Sequence, residues 1–254
     1  MKKLICFTVL ASMLLVPALA VAADQIGIYV APKFIYGYAR GNDAKATDSA
    51  VDGSWSDTYT FKIAGMDTWG GSLALGYDFH KKFDIPLRAE IEYALFADTE
   101  SKSTEYSESS HLGVSTWNKT SHKLTLGIQT LFLNAYYDFR NSSSFTPYVG
   151  AGIGMAFIDA KYKYKESYSD DDPWTETAGK NSTTNFAWNI GGGVAYDINE
   201  YLAVDLGYRF VGLGEAKTKK TSFYDENGDL DNTRRGKVSD LYAHQVALGL
   251  RVTF

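Results

Sequence analysis

The sequence predicts an all-β chain folded as an eight-stranded antiparallel transmembrane β-barrel. Three observations carry that prediction. Apolar side chains recur at every second position in eight segments, the connections between those segments alternate short and long, and the chain ends inside the last alternating segment on an aromatic residue. A period of two is the signature of a half-buried strand. An even strand number with turns short at one end and long at the other is the layout of an outer-membrane type barrel. Chain ends are loose unless tied down, so "HQVALGLRVTF", which runs without interruption to Phe254, needs neighbours on both sides, and a closed barrel supplies them.

The amino-terminus reads "MKKLICFTVLASMLLVPALAVAADQ": two lysines, an apolar stretch, then small residues that fit a secretory cleavage site. Residues 1–22 are expected to be a signal peptide, cleaved near Ala22 or Ala23, with residues 23–254 as the barrel. The single cysteine, Cys6, falls inside the signal, which excludes disulfide and thiolate chemistry from the mature chain. Beyond the signal no apolar run reaches the roughly 18 residues a membrane helix requires. The 23 glycines and 18 tyrosines against 5 prolines suit pleated sheet, where aromatics pack well and glycine permits close approach.

The eight segments are about 26–38, 69–79, 87–97, 121–139, 147–161, 185–198, 200–214 and 241–254. In the second, Trp69, Gly71, Leu73, Leu75 and Tyr77 share one face against Gly70, Ser72, Ala74, Gly76 and Asp78. The third sets Leu87, Ala89, Ile91, Tyr93 and Leu95 against Arg88, Glu90, Glu92 and Ala94. In the fourth, Leu124, Leu126 and Ile128 have one parity and Leu131, Leu133 and Tyr137 the other, so a β-bulge near Gln129–Thr130 is expected to restore the apolar face. The sixth carries Phe186, Trp188, Ile190, Val194 and Tyr196 on its apolar face, the seventh Leu202, Val204, Leu206, Tyr208 and Phe210, and the eighth Val246, Leu248, Leu250, Val252 and Phe254.

Three connections are short ("HKKFDIP", "RNSSSFTP" and "INEY"), and four are long and polar, at about 39–68, 98–120, 162–184 and 215–240. A water-soluble barrel would also alternate but with its apolar face inward. Here the apolar parity holds most of the bulky side chains and the other is dominated by Gly, Ala and Ser with a few charges. Eight strands enclose only enough room for side chains to fill, so the bulky face is expected against lipid, with Tyr77, Phe79, Tyr137, Phe139, Tyr196, Tyr208 and Phe210 in interfacial girdles.

The stretches "TPYVGAGIGMAF", "NIGGGVAYDINEYLAVDLGYRFVGLG" and "HQVALGLRVTF" resemble the last four strands of the opacity-type adhesin family. The resemblance covers roughly residues 146–254 by sequence and the first half by strand count and layout. It implies an outer-membrane barrel in a Gram-negative bacterium whose extracellular loops mediate adhesion or binding to cells or ligands. Because the quoted motifs lie in the wall, it carries over no ligand-binding residue. The terminal aromatic, Phe254, resembles the signal by which the barrel-assembly machinery recognises its substrates.

Charges of inward parity form the candidate site: Arg88, Glu90, Glu92, Asp205, Arg209 and Arg251, with Asp78, Asp138 and Asp197 toward the short-turn end. Charges in a narrow lumen must be paired, so a network is expected, serving either as a structural plug or as the gate of a narrow small-solute pore. Ser121–His122 and the set Ser239, Asp240 and His244 offer nucleophile and base types, as do His111 and His80 the base alone, but at no diagnostic spacing; no catalytic residue is expected. "GAGIG" at Gly150–Gly154 opens no helix and fails as a dinucleotide fingerprint. "DENGDLDN" (Asp225 to Asn232) lacks the glycine and terminal acid of a calcium loop, and "SDDDPW" reads as a solvated turn, so no metal or cofactor is expected. The long loops mix Tyr, Ser, Thr and Asn with charges of both signs, a composition suited to adaptable recognition. Their near-neutral balance, even around Lys217, Lys219, Lys220, Arg234, Arg235 and Lys237, argues against a strong polyanion site and no nucleic-acid partner is expected. Expected partners are outer-membrane lipid and lipopolysaccharide, the assembly machinery, and a host or neighbouring-cell ligand.

Overall fold

The computed structural model describes residues 26–61, 65–111, 114–168, 174–224 and 230–254. The signal peptide expected at residues 1–22 lies outside the described residues, as do the central parts of the two acidic stretches, 169–173 and 225–229. In chain order the strands are β1 (Ile28–Arg40), β2 (Asp43–Ala50), β3 (Ser56–Phe61), β4 (Met66–Asp78), β5 (Leu87–Phe96), β6 (Thr99–His111), β7 (Val114–Asp138), β8 (Phe145–Tyr168), β9 (Trp174–Asp197), β10 (Leu202–Lys217), β11 (Thr221–Tyr224) and β12 (Leu230–Thr253). One helical turn, α1 (His80–Phe83), joins β4 to β5.

Strands β1, β4, β5, β7, β8, β9, β10 and β12 are antiparallel neighbours in that order, and β12 pairs with β1 to close the ring. The chain therefore ends within a paired strand for a structural reason. The Phe254 N–H donates to the Ile28 carbonyl at 2.8 Å, and the Phe254 carbonyl accepts from the Ile26 and Gly27 N–H groups at 2.8 and 3.1 Å. The short turns are built from local polar contacts. Asp84 takes a left-handed conformation after α1, Asn141 Oδ1 accepts from the Ser143 N–H at 2.8 Å, and Asn199 Oδ1 accepts from the Tyr201 N–H at 2.9 Å.

The apolar parity faces outward. Leu73, Leu75, Ile91, Leu133, Val149, Ile153, Ile190, Leu206 and Leu248 are all exposed on the wall, which a soluble protein of this size would not tolerate as a continuous band. Aromatic belts bound that band. Tyr137 packs on Phe139 (ring centroids 5.1 Å apart) and Phe145 on Tyr196 (4.8 Å) at the short-turn edge, while Tyr36, Trp69, Tyr93, Trp188 and Tyr208 mark the other. On β9 the belts fall at Tyr196 and Trp188, close to the roughly 9–11 tilted residues that cross a bilayer core.

The wall does not stop at the upper belt. Strands β7, β8 and β9 have 25, 24 and 24 residues, and the four segments expected as long polar connections are largely paired strand. Strand β2 pairs with β3 and β12, β6 with β7, and β11 with β12. Their sequences lack an apolar face because the outward side meets water while the inward side buries small and polar side chains such as Ala44, Asp48, Thr99 and Ser101; cross-strand hydroxyl pairs such as Thr47 with Thr58 (3.2 Å) and Ser49 with Ser56 (3.1 Å) join the outward faces. Among the described residues the raised sheet is open between β3 and β6. Where the β9–β10 ladder ends, at the pairing of Gly212 with Trp188, the amides of Asn185 and Asn181 reach across to the carbonyls of Leu213, Glu215 and Lys217 at 2.7–3.0 Å.

The bulge expected near Gln129–Thr130 is absent: β7 keeps unbroken register against β5 from Gln129 to Tyr137 and against β8 from Asn118 to Asp138. Leu124, Leu126, Ile128 and Phe132 point into the barrel instead. They join Ile35, Met66, Phe96, Ile158, Val211, Leu213 and Leu241 in a buried cluster. The upper interior is thus packed with bulky apolar side chains, and the parity switch in the sequence marks a change in what fills the lumen. The lower interior accommodates its own large side chains by thinning the wall; a Cβ at Gly150 would overlap the Tyr136 ring, and one at Gly76 the Tyr29 ring.

Replacing Leu248 with arginine, which places a cation on the lipid face, is expected to destabilise the refolded barrel by about 2–4 kcal/mol. Reversible urea unfolding in lipid vesicles measures it; an unchanged midpoint would mean that this face is not in contact with lipid.

Candidate functional site: the charged lumen and the raised hairpins

The six charges singled out from the sequence all line the lower lumen, and the structure resolves their partners. Arg88, on β5, forms a fork with Asp138 at the end of β7: Nη2 lies 2.8 Å from Oδ1, and Nε 2.9 Å from Oδ2. Its guanidinium is held between the rings of Tyr136 and Tyr148, 4.9 Å from each centroid, an arrangement that suits a planar delocalised cation. Arg140 extends the cluster toward the mouth, 2.7 Å from Asp78 and 3.3 Å from Asp138.

One layer higher, Glu90 and Glu92 share Lys33, whose Nζ lies 2.6 and 2.7 Å from them. Glu90 also accepts from the hydroxyls of Tyr29 (3.1 Å) and Tyr136 (2.7 Å) and from Asn134 Nδ2 (3.3 Å). Arg209, on β10, pairs with Glu92 at 2.8 Å and donates to Gln245 at 2.8 Å. Arg251 stands apart, 3.8 Å from both Asp205 and Asp197. A cavity of about 60 Å³ lies in this layer, bordered by Asp205, Arg209 and Arg251, each with one buried polar atom lacking a partner among the described residues. Such atoms favour a polar filling. A wider recess of about 350 Å³ opens at the short-turn end beside Asp78, Arg140 and Asp197.

The apolar cluster begins directly above. Glu92 is the register partner of Phe132, and the Arg209 guanidinium lies 5.7 Å from the Phe132 ring centroid. Over the cluster, an inward pair of Arg234 and Asp48 (2.7 Å) lies inside the raised sheet. Sequence reasoning missed Lys33, Tyr29 and Arg140. The first two were detectable, since in "IYVAPKFIY" they share the parity opposite to Phe34 and Tyr36; Arg140 sits in a turn, where alternation carries no information.

The candidate catalytic types are not assembled among the described residues. His244 is on the outer wall, sharing a 2.7 Å hydrogen bond with the Tyr208 hydroxyl; His80 contacts Asp84 at 3.0 Å; Ser121 is paired with Thr104 at 3.4 Å. The side chains of His111 and His122 lie outside the described ones. Among the described residues no cluster of three or more His, Cys, Asp or Glu suits a metal ion. Phe254, the expected assembly signal, is half-buried at the seam.

The raised hairpins present a different surface. Val51 and Trp55 are exposed at the β2–β3 turn, and Trp117 near the end of the β6–β7 hairpin. Glu215 bridges Lys217 and Lys237, the latter at 2.7 Å. The hydrogen bonds from these two lysines hold its carboxyl below the ordinary value for glutamate.

A family model described as "Outer membrane protein beta-barrel domain" matches residues 7–254. Outer membrane protein PagN of Salmonella typhimurium is 28% identical over 215 residues, covering 80% of this chain and 82% of that protein. A Rickettsia conorii protein whose name begins "Putative adhesin" is 32% identical over 103 residues, 40% of this chain and 39% of its own. The crystal structure of Neisserial surface protein A superposes with a TM-score of 0.43 at 18% identity, covering 91% of this chain and 100% of that one.

Two outcomes follow from the ion pairs. Arg88→Ala leaves Asp138 buried without its fork and is expected to cost about 3–5 kcal/mol, with Arg88→Met/Asp138→Leu recovering much of the loss in the same urea titration. For Glu215, the folded carboxyl titrates below the unfolded one, so its stabilising pair is complete above the ordinary carboxylate range and is lost as pH falls through the lowered value. A carboxyl NMR titration should find that low midpoint; a midpoint at or above the ordinary value would contradict the bridge.

Proposed function

The chain belongs to the outer membrane protein beta-barrel domain family, and on that premise we propose that it is a surface adhesin of opacity type, whose raised hairpins bind cells or ligands outside the bacterium. The orientation follows the general layout of such barrels, with short turns in the periplasm and long connections outside. The observation that carries the reading is the protruding sheet itself. Its strands run well past the lipid band, and its hairpins expose Trp55, Val51 and Trp117, side chains of the kind that anchor recognition surfaces. The adhesin name of the Rickettsia relative agrees with it over the part of the chain that the relative covers.

On this reading the lumen charges Arg88, Glu90, Glu92, Asp205, Arg209 and Arg251 form a structural plug, and the protein is not an enzyme. The rival, a narrow solute pore, is disfavoured by the apolar cluster above Glu92, because opening a path would require unpacking Phe132, Leu126 and Ile158 as well as rearranging ion pairs. The wall sits in outer-membrane lipid, with lipopolysaccharide as the surrounding lipid of the outer leaflet. Phe254 is the residue we assign to recognition by the barrel-assembly machinery.

Refolded barrel should bind saturably to a panel of epithelial cells, matrix proteins and glycans, and a version with all four hairpins cut to short turns above the upper aromatic belt should fold yet lose that binding. Equal binding by both versions, or none by the intact protein, would refute the adhesin reading.

A further inference from the structure

The alternation that turns apolar side chains toward lipid also arranges cations in rows just above the lipid band. On β8 the outward positions continue from Met155 and Phe157 through Asp159 to Lys161, Lys163 and Lys165, and the three lysines are exposed. The register sets Lys163 opposite Lys123, and Lys123 opposite Lys102. A second row crosses another arc of the wall, where Lys45 is opposite Lys237, and Lys237 opposite Lys217.

Like charges directly opposite each other weaken a sheet, yet the arrangement occurs twice, on two arcs of the wall. Glu100 relieves the first row in part, 2.6 Å from Lys123, and Glu215 the second. Lys45, Lys161, Lys163 and Lys165 have no ion pair among the described residues. The cations of the fourth long connection divide between the two faces of the wall. Arg234 turns inward to Asp48, whereas Lys217, Arg235 and Lys237 line an outward recess of about 360 Å³ together with Thr47 and Ser49. Around this recess Lys217, Arg235 and Lys237 have Glu215 as their acidic neighbour among the described residues, a local excess of positive charge that the composition of the whole connection does not display.

Lys161 is four positions beyond Phe157, the last aromatic on the outward face of β8, which for a tilted strand places its backbone roughly 10 Å above that ring, so that a side chain of lysine's length reaches back to the headgroup layer. We propose that these two rows form a basic belt that binds the phosphorylated glucosamine headgroups of lipopolysaccharide in the outer leaflet. The proposal rests on the orientation given above, with the long hairpins outside the cell. The anion must match a double row of ammonium groups, and lipid phosphates arrive at that depth attached to the acyl chains that already coat the outward face. A soluble polyanion would instead be met first at the hairpin tips. Lysine suits the position because its long flexible stem lets the ammonium reach down to the phosphate layer.

The test titrates the refolded full-length barrel in detergent with bisphosphorylated lipid A and with dephosphorylated lipid A, folding being confirmed by heat-modifiable gel mobility. The variants are Lys161→Ser/Lys163→Ser/Lys165→Ser, the same triple to arginine, and Lys45→Ser/Arg235→Ser on the other row. Wild type should bind the bisphosphorylated lipid more tightly than the dephosphorylated one, and the serine triple should bind it about 10- to 100-fold more weakly. The arginine triple should match wild type, and the Lys45/Arg235 pair should weaken binding even if the serine triple fails to fold. Affinity unchanged in the serine variants, or indifferent to phosphate, would overturn the proposal. So would a soluble sulfated glycan that binds the same lysines more tightly than lipid A. Because the titration contains no cells, a failed adhesion assay leaves its outcome unaffected.

Discussion

In the hydrocarbon layer a backbone N–H or C=O has no water to bond, so every strand must find a partner on each side. The pairing of β1 with β12 meets that requirement for the whole ring. Closure then dictates much of the rest. With no edge, each strand has only an outside and an inside, and a single residue of slip would exchange them. The register of β7 against β8, unbroken from Asn118 to Asp138, and of β8 against β9, unbroken from Phe145 to Ala160, is what keeps Leu133, Ile153 and Ile190 toward lipid while Asn134, Gly152 and Asn189 face inward. It also explains why the last residue is hydrogen-bonded rather than frayed.

Inside, the two halves of the lumen solve the same filling problem with different chemistry. The lower half is polar and relies on paired charges, with aromatic hydroxyls and asparagines satisfying the lone pairs that ion pairing leaves over. The upper half is apolar and relies on packing. Buried ion pairs contribute little net stability but are costly to break, so the lower layer discriminates strongly against altered register or strand order. The apolar layer supplies the favourable burial. The boundary at Glu92, Phe132 and Arg209 joins the two without an intervening gap.

Strand number, wall faces and the short turns were legible because lipid imposes a period of two that survives in "YLAVDLGYRF" or "LRAEIEYALF". The candidate lumen charges were legible for the same reason. Three features were not. The parity switch at Leu124–Tyr137 has two physical explanations, an inserted residue or a change of filling, and alternation alone does not separate them. The raised strands bury small and polar side chains such as Ala44, Asp48, Thr99 and Ser101 on their inner side, so "DAKATDSA" and "TESKSTEYSESSH" carry no hydrophobic period at all; only cross-strand partners define them. The lysine rows depend on register between β6, β7 and β8, a relation between distant segments that composition averages away.

The apolar cluster has one more consequence. It insulates. The recess at the short-turn end admits solvent as far as Arg140, Asp78 and Asp197, whereas Phe132, Leu126 and Ile158 separate the charged layer from the raised sheet. The ion pairs that lock the wall therefore meet solvent through the short-turn mouth, and direct contact with water at the other end is confined to the raised sheet.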